Sequence, residues 1–371
     1  MAIERQEPLP VNPNKPETIE EAEIDKIIEL AQPESEDGFV MMEDGSAVLG
    51  GEDDMPMNIE FDGNLAEVLD EDELQKISNL LLDGIEKDKS SRKDWEKTYT
   101  DGLKYLGMKF DEDRSEPFEG ASGVIHPLLG EAVTTFQAQA YKELLPAGGP
   151  VKTQVVGDYD SNIEMQAQRV KEFMNYQIVH EMEEYDQELD QLLFYLPLAG
   201  SAFKKIYYDE ALGRAVSKFV APEDLIVPYY TTDLETCNRI TNVIKMSENE
   251  VKKLQALGFY RDIKIQTGDD DQQYGQVQEE IEKLTGLEGY DGDVAVLYEV
   301  HCNLDIPGFE DMSADGIMTG VKLPYIVTID SNTNDILSIR RNYREQDPLR
   351  KKIEYFVHFK FLPGLGFYGF G

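Results

Sequence analysis

The chain has 371 residues, a length that allows two or three domains of roughly 150 residues, and 41% of its residues are apolar. Its 74 acidic residues outnumber 35 basic ones and give a formal net charge of −39, which excludes the basic face of a typical nucleic-acid-binding protein. Two cysteines cannot form a disulfide framework, and the longest apolar run is interrupted by Pro197 and shorter than the ~20 residues of a membrane span. We therefore expect neither a secreted nor a membrane protein.

Residues 1–70 differ in composition from the rest of the chain. They are rich in Pro, Gly, Glu and Asp and poor in aromatic side chains, and their only basic residues are Arg5, Lys15 and Lys26. A segment of this kind buries too little apolar area to offset its chain entropy. The sequence therefore predicts an acidic, disordered tail over residues 1–70.

Apolar residues spaced three and four apart predict a helical part over residues 71–200. One predicted helix carries Trp95 and is closed by Gly107, and another is capped by Asp160 and ended by Pro197. Within the latter, Ile163, Ala167, Val170, Met174 and Ile178 share one side. The predicted helices cover residues 72–87, 87–107, 124–145 and 161–196.

The pattern changes to period two after Pro197 and predicts a β-rich part over residues 201–371. A hairpin is expected around Gly213, and Ser247 with Glu250 forms a capping box that starts a short helix ending at Gly258. A polar excursion over 264–292 contains one short predicted helix near 278–285. Strands are predicted at 203–208, 215–220, 225–230, 239–246, 294–304, 323–330, 336–343 and 353–361. The predicted fold class is α+β, with long helices packed on antiparallel hairpins.

A search for catalytic, cofactor-binding or metal-binding residues assigns none. His180-Glu181 lacks the second histidine of a zinc-binding helix motif, and no cysteine has a partner at metal-ligand spacing. The run that starts at Asp158 resembles a calcium loop but has Ile163 where glycine is required and Arg169 where the closing glutamate belongs. We expect the histidines to pack or cap. The histidines and cysteines without a predicted catalytic or metal-binding role are His126, His180, His301, His358, Cys237 and Cys302.

Several long strings between residues 74 and 371 resemble the portal, or head-to-tail connector, proteins of tailed double-stranded DNA bacteriophages, in particular podovirus-like portals. The strings are SRKDWEKTYTDGLKYLG, RSEPFEGASGVIHPLLGEAV, TFQAQAYKELLPAGGPVKT, LPLAGSAFKKIYYDEALGR, FVAPEDLIVPYYTTDL, NEVKKLQALGFYRD, LPYIVTIDSNTNDILSIRRN and YFVHFKFLPGLGFYGFG. The acidic tail lies outside the resemblance.

The resemblance implies a structural protein rather than an enzyme, without cofactors. It implies a dodecameric ring at one capsid vertex, through which viral double-stranded DNA passes without sequence-specific binding during packaging and ejection. The partners implied are other copies of the chain, the terminase large subunit, the major capsid and scaffold proteins, and tail adaptor proteins. The location implied is the virion, with assembly in the host cytoplasm.

Portals of this family continue beyond the string PGLGFYGFG into a stem, a clip and often a crown. Because this chain ends at Gly371, we expect an N-terminal fragment that carries the peripheral wing. Closing a ring requires one patch of each copy to meet a different patch of its neighbour. We expect the helices at 124–145 and 161–196 to contribute to these patches.

The acidic excess suggests a hypothesis about DNA. Because affinity for DNA grows with every Lys or Arg contact to phosphate, an electronegative channel would let DNA slide. Surface charge that serves only solubility is the alternative. Two other classes of function also stay open. One is an enzyme with two carboxyl groups of raised pKa in a concave pocket, and the other is an acidic scaffold or adaptor that forms no ring.

Overall fold

The computed structural model describes residues 39–41, 47–49, 59–106, 118, 126–157, 160–209, 212–266, 277, 280–281, 294–313, 318–364 and 366–371. The described residues from Ile59 onward form one compact unit. Strands β1 (Phe39–Met41) and β2 (Ala47–Leu49) belong to a separate unit and pair antiparallel. The predicted disorder of residues 1–70 is wrong for residues 59–70, which belong to the compact unit. Apart from β1 and β2, the rest of that tail lies outside the described residues.

The α+β class is confirmed, and the described residues contain six α-helices. The capping box is present, because Ser247 Oγ accepts from Glu250 N at 3.3 Å and Glu250 Oε2 accepts from Ser247 N at 3.1 Å. The bounds of the helices are α1 Glu71–Ser91, α2 Lys93–Tyr105, α3 Leu128–Leu144, α4 Ser161–Tyr176, α5 Tyr185–Ala199 and α6 Glu248–Ala256.

The continuous helix predicted over 161–196 is wrong. After α4 the chain forms a π-helical turn over Gln177–Glu181, and Met182 leaves the helical region with φ −87° and ψ 77°. A new helix, α5, then starts. Its start is held on the neighbouring sheet, where the carboxylate of Glu184, the residue before the helix, accepts from Arg214 Nη1 at 2.7 Å and from Ser217 N at 3.2 Å. These tertiary contacts override the local tendency to continue one helix.

Pro197 does not stop α5, which runs on to Ala199. The proline removes a single N–H close to the end of the helix. Gly200 ends it instead, with φ 75°, and its N–H bonds to Leu196 O at 3.0 Å.

Two antiparallel sheets form the β part. The smaller has the order β10-β3-β4 and the larger the order β5-β6-β7-β8-β9. The hairpin at Gly213 is confirmed, with Phe203 opposite Val220 and Asp209 opposite Arg214. The strands are β3 Ser201–Asp209, β4 Arg214–Val220, β5 Leu225–Ile226, β6 Arg239–Ser247, β7 Val294–Leu304, β8 Leu323–Asp330, β9 Ile336–Arg341 and β10 Phe356–Lys360.

Some predictions lie largely outside the described residues. These are the closure of the second helix at Gly107, most of the loop before α3, and nearly all of the short helix near 278–285. The strand predicted at 225–230 is shorter than expected and ends at Ile226, before Pro228.

The C-terminal segment, residues 366–371, packs against α2 and against the end of α5. Phe367 and Tyr368 are fully buried, and the Tyr368 ring stacks on Trp95 of α2 with ring centroids 4.2 Å apart. The backbone of Gly369 lies against that of Gly200, so that a Cβ on Gly200 would lie 2.3 Å from Gly369 O. Only glycine fits such a close approach.

The segment Ile59–Leu69 lies along the free edge of β9. Its Asn64 side chain is buried and acts as a substitute strand, because Nδ2 donates to Leu337 O at 3.1 Å and Oδ1 accepts from Ile339 N at 2.9 Å. Leu65 and Ala66 beside it are buried in the core between α1 and the larger sheet. The amide thus satisfies two backbone groups that would otherwise be unpaired.

We predict that Asn64→Ala lowers the free energy of unfolding by about 2 kcal/mol, because it leaves buried backbone groups of Leu337 and Ile339 without partners. Urea unfolding followed by circular dichroism measures the change. Asn162→Ala removes the same side chain from an exposed position on α4 and should change stability by less than about 0.5 kcal/mol. Equal effects of the two substitutions would contradict the role of Asn64.

Candidate oligomerisation surface

Helix α4 contains no buried residue along its whole length of 16 residues. In contrast, α5 buries six residues, among them Leu189, Leu192 and Leu193. The side chains of α4 include many large apolar groups, and Phe173 is 58% exposed and Val170 49%. A helix whose large apolar side chains are all exposed is incompletely packed, because burial of an apolar side is what stabilises most helices in proteins.

The exposed apolar residues of α4 form two separate patches. At about 100° per residue, Ile163, Val170 and Met174 lie on one side, and Phe173 borders them. Met165 and Tyr176 lie on nearly the opposite side. We call these the first patch (Ile163, Val170, Phe173 and Met174) and the second patch (Met165 and Tyr176).

A loop attaches α4 between the two patches. The Asn175 side chain accepts from Val151 N at 2.9 Å and donates to Val151 O at 3.1 Å, and Thr153 Oγ1 donates to Ala167 O at 3.1 Å. Ala167, Lys171 and Asn175 are accordingly the partly buried residues of the helix. The loop covers this side only and leaves both patches exposed.

Helices α3 and α5 form the support beside this surface. They pack antiparallel, since Gln137 Nε2 donates to Asp190 Oδ1 at 2.9 Å and Tyr141 bonds to Asp186 one turn further along. Apolar residues of both helices, including Leu189 and Leu193, form a shared core. The expected site helices therefore differ, because α3 and α5 are packed together and α4 is exposed.

The histidines occupy packing positions or lie at the surface. His358 lies between the rings of Phe203 and Phe367 at 4.6 and 4.5 Å, and burial lowers its pKa to about 3. His301 is buried in β7, while His126 and His180 are exposed. No cluster of three or more His, Cys, Asp or Glu side chains arranged for a metal occurs among the described residues.

A buried ionic network joins the two sheets. Lys205 Nζ of β3 lies 2.6 and 2.7 Å from the Glu299 carboxylate oxygens of β7, and His301 Nε2 lies 2.9 Å from Glu299 Oε1. Burial by itself raises the pKa of Glu299, but the charge of Lys205 and the bond with His301 outweigh it and lower the pKa to about 2. Sequence analysis missed this network because the residues come from strands about 94 positions apart.

The neighbouring Lys204 points to the opposite side of the sheet. It is buried, its Nζ lies 4.0 Å from the centre of the Tyr185 ring, and no acceptor among the described residues bonds to it. Burial lowers the pKa of Lys204 to about 8, against the opposite effect of Glu188 and Glu184. Two adjacent lysines therefore have opposite electrostatic environments.

Two adjacent carboxyl groups come closest to the expectation for an enzyme. Burial, with the charge of Asp224, raises the pKa of Glu223 to about 7, and burial also raises the pKa of Asp224. The large open groove of about 720 Å³ lies elsewhere and is lined by residues such as Glu235 and Arg344. Among the described residues, the two carboxyl groups of raised pKa do not line this groove.

Comparison with known proteins adds no assignment. No model of a known protein family matches the chain, and no curated protein matches it. None of the helices in the described ranges is long and apolar enough to cross a membrane.

We predict that Lys204→Met raises the free energy of unfolding at pH 7 by about 1 kcal/mol, because relief of the buried charge exceeds the lost cation–π contact. Lys205→Met should lower it by about 3 kcal/mol, because Glu299 stays buried without its partner. Since the folded pKa of Lys204 is depressed, its penalty is complete below about pH 8 and absent above the ordinary pKa.

Unfolding in urea at pH 7 and at pH 10 measures both variants. The gain from Lys204→Met should shrink at the higher pH. A loss of stability in Lys204→Met equal to that in Lys205→Met would show that Lys204 is paired in solution.

Proposed function

We propose that this chain belongs to a portal protein of a tailed double-stranded DNA bacteriophage and acts as a structural element of a ring at the capsid vertex. The ring is the channel for packaging and ejection of DNA and the docking site for terminase and tail adaptors. The proposal rests on the resemblance of its long strings to portal sequences. The observation that supports it in the fold is the exposed helix α4, with one apolar patch on each of two nearly opposite sides.

A ring explains why α4 needs two patches. Each copy in a ring lies between two neighbours and contacts them through different surfaces. The first patch, with Ile163 and Val170, would face one neighbour. The second patch, Met165 and Tyr176, would face the other neighbour. The loop held by Asn175 fixes the helix between them. Helices α3 and α5 then serve as the rigid support.

The alternatives make different use of the same features. An acidic scaffold or adaptor would cover α4 with a different protein and would itself remain monomeric. An enzyme would need substrate access to Glu223 and Asp224, the two carboxyl groups of raised pKa. The exposed helix favours assembly, because it exposes far more apolar area than a solvated helix requires.

We predict that the full-length gene product forms rings with a central hole in negative-stain images. The double variant Val170→Glu with Phe173→Glu should prevent ring closure, because it places charges in the first patch. Its thermal unfolding should stay within about 1 °C of the unmodified chain when both are monomeric, since neither side chain is buried in the single chain.

Gln75→Glu is the control, because it adds charge to a polar, exposed position of α1, outside both patches. Light scattering after size exclusion gives the mass of each variant. Monodisperse monomers of the unmodified full-length product would refute the ring, and rings formed by the double variant would refute the role of α4 only.

A further inference from the structure

Helices α4 and α5 are separated by a short joint that contains neither glycine nor proline. It begins with the π-helical turn over Gln177–Glu181, where Met182 N donates to Gln177 O at 2.9 Å. Met182 leaves the helical region, as described above, but Glu184 is helical again, with φ −76° and ψ −20°. The helical path is therefore interrupted only around Met182. Such π-helical turns inside helices are rare and frequently occur at functional sites.

The apolar period of α4 continues through the joint into α5. Its members at the joint follow one another at spacings of four, four, three and four, which is the pattern of one side of a single α-helix. These residues are Met174, Ile178, Met182, Tyr185 and Leu189. The local sequence therefore specifies one continuous helix, and contacts elsewhere in the chain impose the bend.

The bend has one anchor on each side. On the side of α5 the anchor is the Glu184 carboxylate, which is bound to β4. On the side of α4 it is Asn175, whose side chain bonds to both N and O of Val151. Gly149 makes room for this side chain, because a Cβ at Gly149 would lie 2.3 Å from Asn175 Oδ1. We call Asn175, Val151 and Gly149 the latch.

The latch is the weaker of the two anchors. Glu184 makes charge-assisted hydrogen bonds, which are roughly twice as strong as bonds between neutral groups. The latch consists of neutral bonds, and the bond from Thr153 Oγ1 to Ala167 O adds one more. Helix α4 itself contains no buried residue. Moving α4 therefore breaks three hydrogen bonds and uncovers no buried side chain of that helix.

A straight joint has backbone hydrogen bonds that the bent joint lacks. The amides of Glu183 and Gln187 have no backbone partner in the described part of the chain. In a continuous helix, Glu183 N would donate to Val179 O and Gln187 N to Glu183 O. These bonds offset part of the loss of the latch, so the bent and the straight joint are alternatives of similar free energy.

We propose that the joint is a two-state hinge: the latch holds the bent state, and its release joins α4 and α5 into one helix from Ser161 to Ala199. The hinge turns at Met182, whose backbone becomes helical, while the π-helical turn tightens into α-helix. Because α4 carries both apolar patches, the hinge sets their direction relative to α5. This effect on assembly rests on the proposed ring, whereas the hinge itself does not.

The test is the distance between nitroxide labels at Gln168→Cys and Gln191→Cys, measured by pulsed electron paramagnetic resonance on the full-length protein. Both positions are exposed, while Cys237 and Cys302 are buried. In a continuous helix the two sites lie about 35 Å apart along the axis, because each residue rises about 1.5 Å. The bent state gives a shorter distance, because its two helices do not share one axis.

The intact latch should give mainly the shorter distance. Asn175→Ala removes the latch from α4, Gly149→Ala displaces it from the loop, and each should move more than about half of the molecules to the longer distance. Asn162→Ala is the matched control, because it removes the same amide from an exposed position of α4 and should leave the distances unchanged. All labelled chains also carry Val170→Glu with Phe173→Glu, so that assembly through the first patch does not enter the measurement.

Residue-resolved hydrogen exchange of the same variants is the second measurement. The amides of Glu183 and Gln187 should exchange at least about tenfold more slowly without the latch, because both gain hydrogen bonds. Latch variants that keep the shorter distance, or that show no peak near ~35 Å, would overturn the proposal. The longer distance with an intact latch, or faster exchange of the two amides without it, would overturn it as well.

Discussion

The compact unit depends on the burial of one side chain, Tyr368. Its ring stacks on Trp95 of α2, and its hydroxyl bonds to the outward backbone groups of β5. The buried Arg92 guanidinium bonds to the same hydroxyl at 3.1 Å. A helix, the edge of the larger sheet and the C-terminal segment therefore meet at one residue. Gly200 and Gly369 make this possible, because any side chain at either position would separate the segment from the end of α5.

The surfaces of this unit differ in how far the chain's own side chains cover them. Side chains such as Asn64 and Glu188 block sheet edges with specific hydrogen bonds, and Lys205 with Glu299 joins the sheets by a buried ion pair. In contrast, α4 exposes its large apolar residues on two sides. Blocked edges suppress unwanted pairing between chains. Selective exposure beside such blocking is typical of a protein that works through contacts with other polypeptides.

The candidate surface was only partly accessible to sequence analysis. The spacing of Ile163, Val170 and Met174 correctly marks one apolar side of a helix, but the same spacing arises whether the covering partner is the same chain or another one. Only the structure shows that nothing in the described parts of the unit buries this side. The second patch at Met165 and Tyr176 lies off that period, and its pattern gives no helical signal by itself.

The sequence alone determined the α+β class, the hairpin at Gly213 and the capping box of Ser247 and Glu250, because each depends on residues within a few positions of one another. Tertiary structure decided the break at Met182 and the pairing of β10 with β3. In both cases the deciding contacts come from distant residues. Local periodicity reports which side of an element is apolar, whereas the partner of that side is fixed only when the whole chain is packed.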